Sequence, residues 1–270
     1  MILLRSIVLN LTFYLNVILQ MVLLSPYYFL APRKKAWIVP KNWARSNNWL
    51  MAKIVGTTFE IEGAENLPEG AFIFAPKHQS FWDAFALLPV VKDPLIIVKR
   101  ELMWIPMFGQ YLQKLRMIPV NRTAKGKAMA GLIDRTLAEM ATGRQLIIYP
   151  EGTRRPAGSD ADYRFGIARL YRDLKVPVVP CVMHMGIFWP RRTFLRFPGH
   201  FKVRILPAIP PGLDADKFFA RLVDEMETAS DELLLKTIRE NPQVPLSDIA
   251  AEKYAKLEAA EREAAVKSPN

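Results

Sequence analysis

Phe72-Ile73-Phe74-Ala75-Pro76-Lys77-His78-Gln79-Ser80-Phe81-Trp82-Asp83 passes from an unbroken apolar stretch into a turn and then into the start of a helix. A short strand with no polar alternation suits a sheet covered on both faces, and open α/β sheets hold their ligands beyond the carboxyl ends of such strands. A strand over Phe72–Pro76 therefore delivers Lys77 and His78 to that edge. Ser80-Phe81-Trp82-Asp83 also reads as a capping box, with Ser80 at the N-cap and Asp83 at the third helical position. His78 precedes the helix, so the turn can fold its imidazole onto the Asp83 carboxylate while that carboxylate caps the helix. A histidine that titrates near neutrality, with a carboxylate to hold its imidazolium, is what deprotonating a hydroxyl requires.

On either side of this segment the pattern alternates. Helices are expected over Ser80–Val91, Ile105–Leu115, Gly126–Ala141 and Gly166–Leu174, and strands over Leu95–Lys99, Met117–Val120, Gln145–Pro150, Val176–His184 and Phe201–Leu206. The class implied is α/β, a mostly parallel twisted sheet flanked by helices. Strand Gln145–Pro150 runs out into Glu151-Gly152-Thr153-Arg154-Arg155, where Gly152 permits a tight turn and Arg154, with backbone N–H groups, can grip a phosphate. The same alternation brings Lys99-Arg100 and Arg122 to that edge. His184 and His200 lack metal-ligand spacing and read as structural, as does Cys181, the single cysteine, which excludes an intrachain disulfide and a cysteine metal cluster. There is no Gly-x-Ser-x-Gly elbow, no His-Glu-x-x-His and no phosphate-binding loop of the common types. No metal site is expected.

The N-terminus has a different character. From Ile7 to Leu30 the chain carries no charged side chain, long enough to cross or deeply enter a bilayer, and it is succeeded by Arg33-Lys34-Lys35 rather than a small-residue cleavage site. It reads as a retained anchor, and the positive-inside tendency leaves the downstream chain on the cytoplasmic side. Asn10, Asn16 and Gln20 fall on one broad side of that segment, a polar seam for a neighbouring helix. Trp37 to Val55 has the composition of a basic amphipathic helix at headgroup level. Beyond Gly212, a helix over Lys217–Arg239 and an Ala/Glu/Lys-rich stretch from Ser247 show no wide apolar stripe and read as a solvated or membrane-skimming extension. The division expected is 1–55 membrane anchor and amphipathic helix, 56–212 catalytic domain and 213–270 helical extension.

The 270-residue chain carries a net charge of +11, which calls for an anionic partner. With an apolar anchor and no nucleic-acid-binding motif, that partner is expected to be anionic membrane lipid and not nucleic acid.

The ordered blocks His78 to Asp83, Lys99-Arg100-Glu101-Leu102 with Pro106 and Gly109, Ile118-Pro119-Val120-Asn121-Arg122, Glu151-Gly152-Thr153-Arg154 and Val178-Val179-Pro180 resemble those of the glycerophospholipid acyltransferases, most nearly the bacterial 1-acyl-sn-glycerol-3-phosphate acyltransferases. The resemblance runs from about Thr57 to Gly212, with Asn121 where many members carry aspartate. It implies acyl transfer from acyl-CoA or acyl-carrier protein to the sn-2 hydroxyl of lysophosphatidic acid, without a cofactor or an acyl-enzyme, at a bacterial inner membrane. His78 would then be the base, Asp83 its orienting partner, and Lys99, Arg122 and Arg154 the phosphate ligands. Glu151, Gly152 and Thr153 would form a substrate-binding loop, with Glu151 either holding the neighbouring cations or touching the glycerol. Phe81, Trp82, Trp104 and Phe108 are candidates for an acyl slot. The alternative acceptor is another lysolipid, such as lyso-ornithine lipid, for which paired cations at Lys99 and Arg154 have no use.

Overall fold

In the computed structural model, which describes residues 1–120 and 127–267, seven strands form one sheet in the order β1-β7-β6-β2-β5-β3-β4. They are β1 Thr57–Glu62, β2 Phe72–Pro76, β3 Pro94–Lys99, β4 Ile118–Val120, β5 Gln145–Ile147, β6 Val178–Met183 and β7 Gly199–Ile205. Every neighbouring pair is parallel except β6 with β7. β2 and β6 are buried at every residue, which is why their sequences are continuously apolar. From β2 the chain winds to one side through β3 and β4, returns as β5 beside β2, and then crosses to β6 on the other side. The carboxyl ends of β2, β5 and β6 meet where the winding reverses, the place a ligand site is expected in an open α/β sheet.

β1 has no counterpart in the sequence reading. Thr57-Thr58-Phe59-Glu60-Ile61-Glu62 is too polar to look like a core strand, yet it pairs with β7 at the sheet margin. Its acids face basic residues on β7: Lys202 pairs with Glu60 and Glu62, and Arg204 Nε lies 3.3 Å from Glu62. Charge on an edge strand also discourages pairing with another chain.

The helical regions differ from expectation in four places, the last of them in the C-terminal tail. The Ser80–Val91 helix is only the short α5, Asp83–Ala86, followed by a 3₁₀ turn, because Pro89 cuts the segment. The apolar run is not one rod: α1, Ile2–Leu23, ends before α2, Ser25–Leu30, which leads into α3, Arg33–Ala36, and α4, Ile38–Ile54. α4 does not lie at a headgroup surface along its apolar face, since Val39, Ala44 and Met51 are buried against protein. Asn16 Nδ2 and Gln20 Nε2 of α1 donate to Ser46 Oγ of α4 at 2.8 and 2.9 Å, the polar seam the sequence called for. Arg33 is committed to Asp93 through two bonds at 2.6 and 2.8 Å.

α6, Phe108–Lys114, α7, Lys127–Met140, α8, Gly166–Leu174, and α9, Met185–Phe188, complete the middle of the chain. α10, Ala215–Glu240, corrects the reading of the C-terminal tail. Phe218, Leu222, Met226 and Leu233 are fully buried in the core cluster that includes Ile73 of β2 and Val178 and Val182 of β6, so residue 213 begins no separate extension. Of the two helices in this tail, α11, Asp248–Lys267, is the largely exposed one. α1 is the reverse case. Leu11, Leu15, Ile18 and Leu23 face outward, and an uncovered apolar surface on a helix long enough to cross a bilayer marks a membrane-associated protein.

Candidate active site

β2 ends with the Lys77 N–H still bonded to the Cys181 carbonyl of β6 at 2.9 Å, so the chain leaves the sheet at His78. Both main-chain groups of His78 are then held by the segment after β5. Its N–H donates to Glu151 Oε2 at 2.6 Å and its carbonyl accepts from the Arg155 N–H at 2.7 Å. The ring stacks on Tyr149, centroids 4.1 Å apart, and the Tyr149 hydroxyl donates to the Asp83 carbonyl at 2.9 Å. An imidazole fixed at the main chain and across one ring face has little rotamer freedom left.

Asp83 is fully buried, and its Oδ2 accepts from His78 Nδ1 at 3.2 Å, from the Gln79 N–H at 2.6 Å and from the Ser80 N–H at 2.7 Å. A carboxylate can only accept, so Nδ1 carries the hydrogen and Nε2 is left with the lone pair. The helix starts at Asp83 with Trp82 at its N-cap and no side-chain cap bond, so the expected capping box is not formed, although Asp83 does accept the Ser80 N–H. Ser80 Oγ accepts from the Trp82 N–H at 3.3 Å, completing the turn one residue earlier than the capping box implied. Asp83 Oδ1 is buried with no partner among the described residues.

Behind His78 lies a buried charge cluster. Glu151, whose side chain is 5% exposed, has Lys77 Nζ 3.9 Å from its Oε1, and burial pushes its carboxyl up to about 7 against the pull of that ammonium. Lys77 in turn sits 2.5 Å from Glu227 of α10, which also accepts from the Tyr163 hydroxyl at 2.5 Å. Glu151 thus faces inward and holds the His78 main chain. Gly152 has φ 66°, the left-handed region, and a Cβ there would stand 3.2 Å from the Arg164 side chain. The turn it makes returns Arg154 and Arg155 to the sheet edge.

Arg154 has no carboxylate within 4 Å among the described residues, whereas Arg155 is taken by Asp162 at 3.0 Å. The Arg154 carbonyl accepts from Arg191 Nη1 at 2.8 Å, which ties this loop to the one after α9. Lys99 ends β3, more than half exposed, with Glu101 3.3 Å away. It stands three residues past Ile96, which pairs with Ile147 of β5, so it emerges at the same edge of the sheet. Arg122 lies outside the described residues. Of the apolar candidates, Trp82 is core, wedged between Phe59 and Phe201, while Phe81, Trp104 and Phe108 remain exposed.

His184 is structural. Burial pushes it down to about 4, and it joins Gln79 Nε2 at 3.2 Å to the Ser230 carbonyl of α10 at 2.8 Å. Cys181 is buried, its thiol pushed up by desolvation. The sequence reading missed Tyr149, Tyr163, Glu227 and Arg191. Tyr149 and Lys77 adjoin the motifs and were within reach, but nothing in sequence marks Glu227 among the many charges of α10.

An imidazole backed by a buried carboxylate, beside a loop whose Arg154 has no acidic partner among the described residues, is an arrangement that can accept a proton and hold an anion. The acyltransferase family model matches residues 58–184, from β1 through the His184 position. The 1-acyl-sn-glycerol-3-phosphate acyltransferase of Pseudomonas aeruginosa is 31% identical over 204 residues, 74% of this chain and 79% of that protein. The mouse 1-acyl-sn-glycerol-3-phosphate acyltransferase alpha is 26% identical over 160 residues, 58% of this chain and 56% of its own. The crystal structure of the 1-acyl-sn-glycerophosphate acyltransferase of Thermotoga maritima superposes with a TM-score of 0.70 at 22% identity, covering 86% of this chain and 99% of that one, and so shares the fold. The chain belongs to the acyltransferase family, and it is an acyl-transferring enzyme.

Proposed function

We propose that this enzyme transfers a fatty acyl group from a thioester, acyl-CoA or acyl-carrier protein, to the sn-2 hydroxyl of lysophosphatidic acid, forming phosphatidic acid. The observation that carries the reading is the His78–Asp83 pair, with Nδ1–H committed to the carboxylate and Nε2 left to accept a proton. His78 Nε2 takes the hydroxyl proton as the oxygen attacks the thioester carbonyl, and Asp83 stabilises the imidazolium that results. Collapse of the tetrahedral intermediate breaks the carbon–sulfur bond, and the leaving thiolate receives the proton from His78. The attacking group is the acceptor itself, so no protein nucleophile is required. Arg154, free of any acidic partner among the described residues, binds the acceptor phosphate, with Lys99 and Arg122 supplying further positive charge. The named relatives act on this class of acceptor, which supports the same assignment here. α1 anchors the enzyme in the bacterial inner membrane, with the catalytic edge on the cytoplasmic side, where the donor is found.

Free-thiol release by detergent-extracted protein, measured with one thioester and alternative acceptors, tests this. Lysophosphatidic acid is expected to drive release and lyso-ornithine lipid is not. Equal release with the phosphate-free lipid overturns the phosphate assignment and leaves the acyl transfer standing.

A further inference from the structure

Glu227 lies on α10, outside the segment that the family model matches, yet it is bonded to the residue that immediately precedes the base. The connection has three links. Glu227 Oε1 holds Lys77 Nζ at 2.5 Å, Lys77 Nζ stands 3.9 Å from Glu151 Oε1, and Glu151 Oε2 accepts the His78 N–H at 2.6 Å. Lys77 and Glu151 are each 5% exposed at the side chain, so neither can turn to water for a substitute partner. The Tyr163 hydroxyl donates to the same Glu227 oxygen at 2.5 Å and lies 3.3 Å from Lys77 Nζ, so the carboxylate is itself held in place.

The distances say what Glu227 does. At 3.9 Å the ammonium is beyond hydrogen-bond reach of Glu151 and acts on it only through charge, which leaves the Glu151 carboxylate free to grip the His78 main chain. An ammonium without the Glu227 charge has one carboxylate left within 4 Å among the described residues, that of Glu151. It would close the gap, take a direct bond, and compete with the His78 N–H for the same group. We infer that Glu227 is a positioning residue of the catalytic base: by holding Lys77 away from Glu151, it preserves the Glu151 bond that fixes the His78 main chain. The inference rests on the role given to His78 under the proposed function and is independent of which lysolipid is the acceptor.

The test is a double-mutant cycle with Glu227→Gln and Glu151→Gln in the full-length, detergent-extracted enzyme, with kcat counted per folded molecule and both KM values measured. Glu227→Gln is expected to lower kcat by about 10- to 100-fold, the scale of a small misplacement of a reacting group, with both KM values within about threefold. In the Glu151→Gln background there is no carboxylate for the freed ammonium to capture, so the second change is expected to add less than about twofold. Effects that multiply in the double variant, or wild-type kcat in Glu227→Gln, overturn the inference. Should Glu227→Gln not fold, Tyr163→Phe removes a donor to the same oxygen while keeping its charge. It is expected to lower kcat by a smaller factor that also vanishes with Glu151→Gln, and an unchanged kcat counts against the inference. His78→Ala in parallel separates the two claims: an inactive His78→Ala beside a normal Glu227→Gln removes only the role of Glu227, whereas an active His78→Ala removes the mechanism beneath it.

Discussion

α1 and α10 lie at opposite ends of the chain and invert the usual relation between composition and burial. α1 is almost wholly apolar and mostly uncovered; α10 carries acids and bases along its whole length and is packed into the core. The explanation is spacing. In α10, Phe218, Leu222, Met226, Ala229 and Leu233 recur every three or four residues and line one stripe, which is all a helix needs to bind a sheet. In α1 the buried positions, Ser6, Leu9 and Phe13, make a narrow seam continued by Asn16 and Gln20 against α4, and most of the remaining circumference is apolar and uncovered. Average composition reports the solvent a helix tolerates, whereas the stripe reports what it touches.

Leu222→Ala or Leu233→Ala is expected to destabilise the protein by about 2–5 kcal/mol, and Leu15→Ala on the outward side of α1 by less than about 0.5 kcal/mol, read from denaturant midpoints in detergent. Equal losses would break the comparison. Leu11→Ser and Leu15→Ser should each weaken binding to anionic phospholipid vesicles by about 2 kcal/mol in a co-sedimentation assay without changing the midpoint. Unchanged partition would show that lipid does not cover this face.

The buried side of α10 also reaches the site, and pH sharpens that point. The Glu151 carboxyl, raised to about 7 from 4.5, adds stability at low pH that is lost as pH rises through its folded value. His184, lowered to about 4 from 6.5, adds stability at high pH that is lost as pH falls through its folded value. Between about pH 4.5 and 6.5 the two slopes oppose. Glu151→Gln removes one of them, so the variant should lose up to about 1.4 kcal/mol per pH unit more than wild type on acidification across that window. Parallel urea midpoints for the two proteins would place the protons elsewhere. A modest effect belongs to the α1–α4 seam, where Ser46→Ala should cost about 1 kcal/mol by stripping Asn16 and Gln20 of their shared acceptor.

Most of this architecture was legible in the sequence because β2 and β6 are apolar at every residue and short, a pattern that suits a doubly covered sheet. The His78–Asp83 pairing was legible because five residues of a turn fix it locally. β1 was not, because both its partner strand β7 and the bases that meet its acids lie some 140 residues later in the chain. The embedding of α10 was hidden by its charges, and with it the partner of Lys77. The inward turn of Glu151 could not be read either, since loop residues beside a substrate site and loop residues that brace it have the same composition. Local chemistry shows in sequence, and long-range ion pairs show only once the sheet has brought their members together.

Every step of the proposed reaction depends on the His78 imidazole as the proton acceptor. Turnover of His78→Ala with lysophosphatidic acid and a thioester, counted per folded molecule, is expected to fall by about 10²–10⁴-fold while the unfolding midpoint stays near that of wild type. A folded His78→Ala enzyme that turns over within about tenfold of wild type, well short of what a positioned base contributes, contradicts the mechanism.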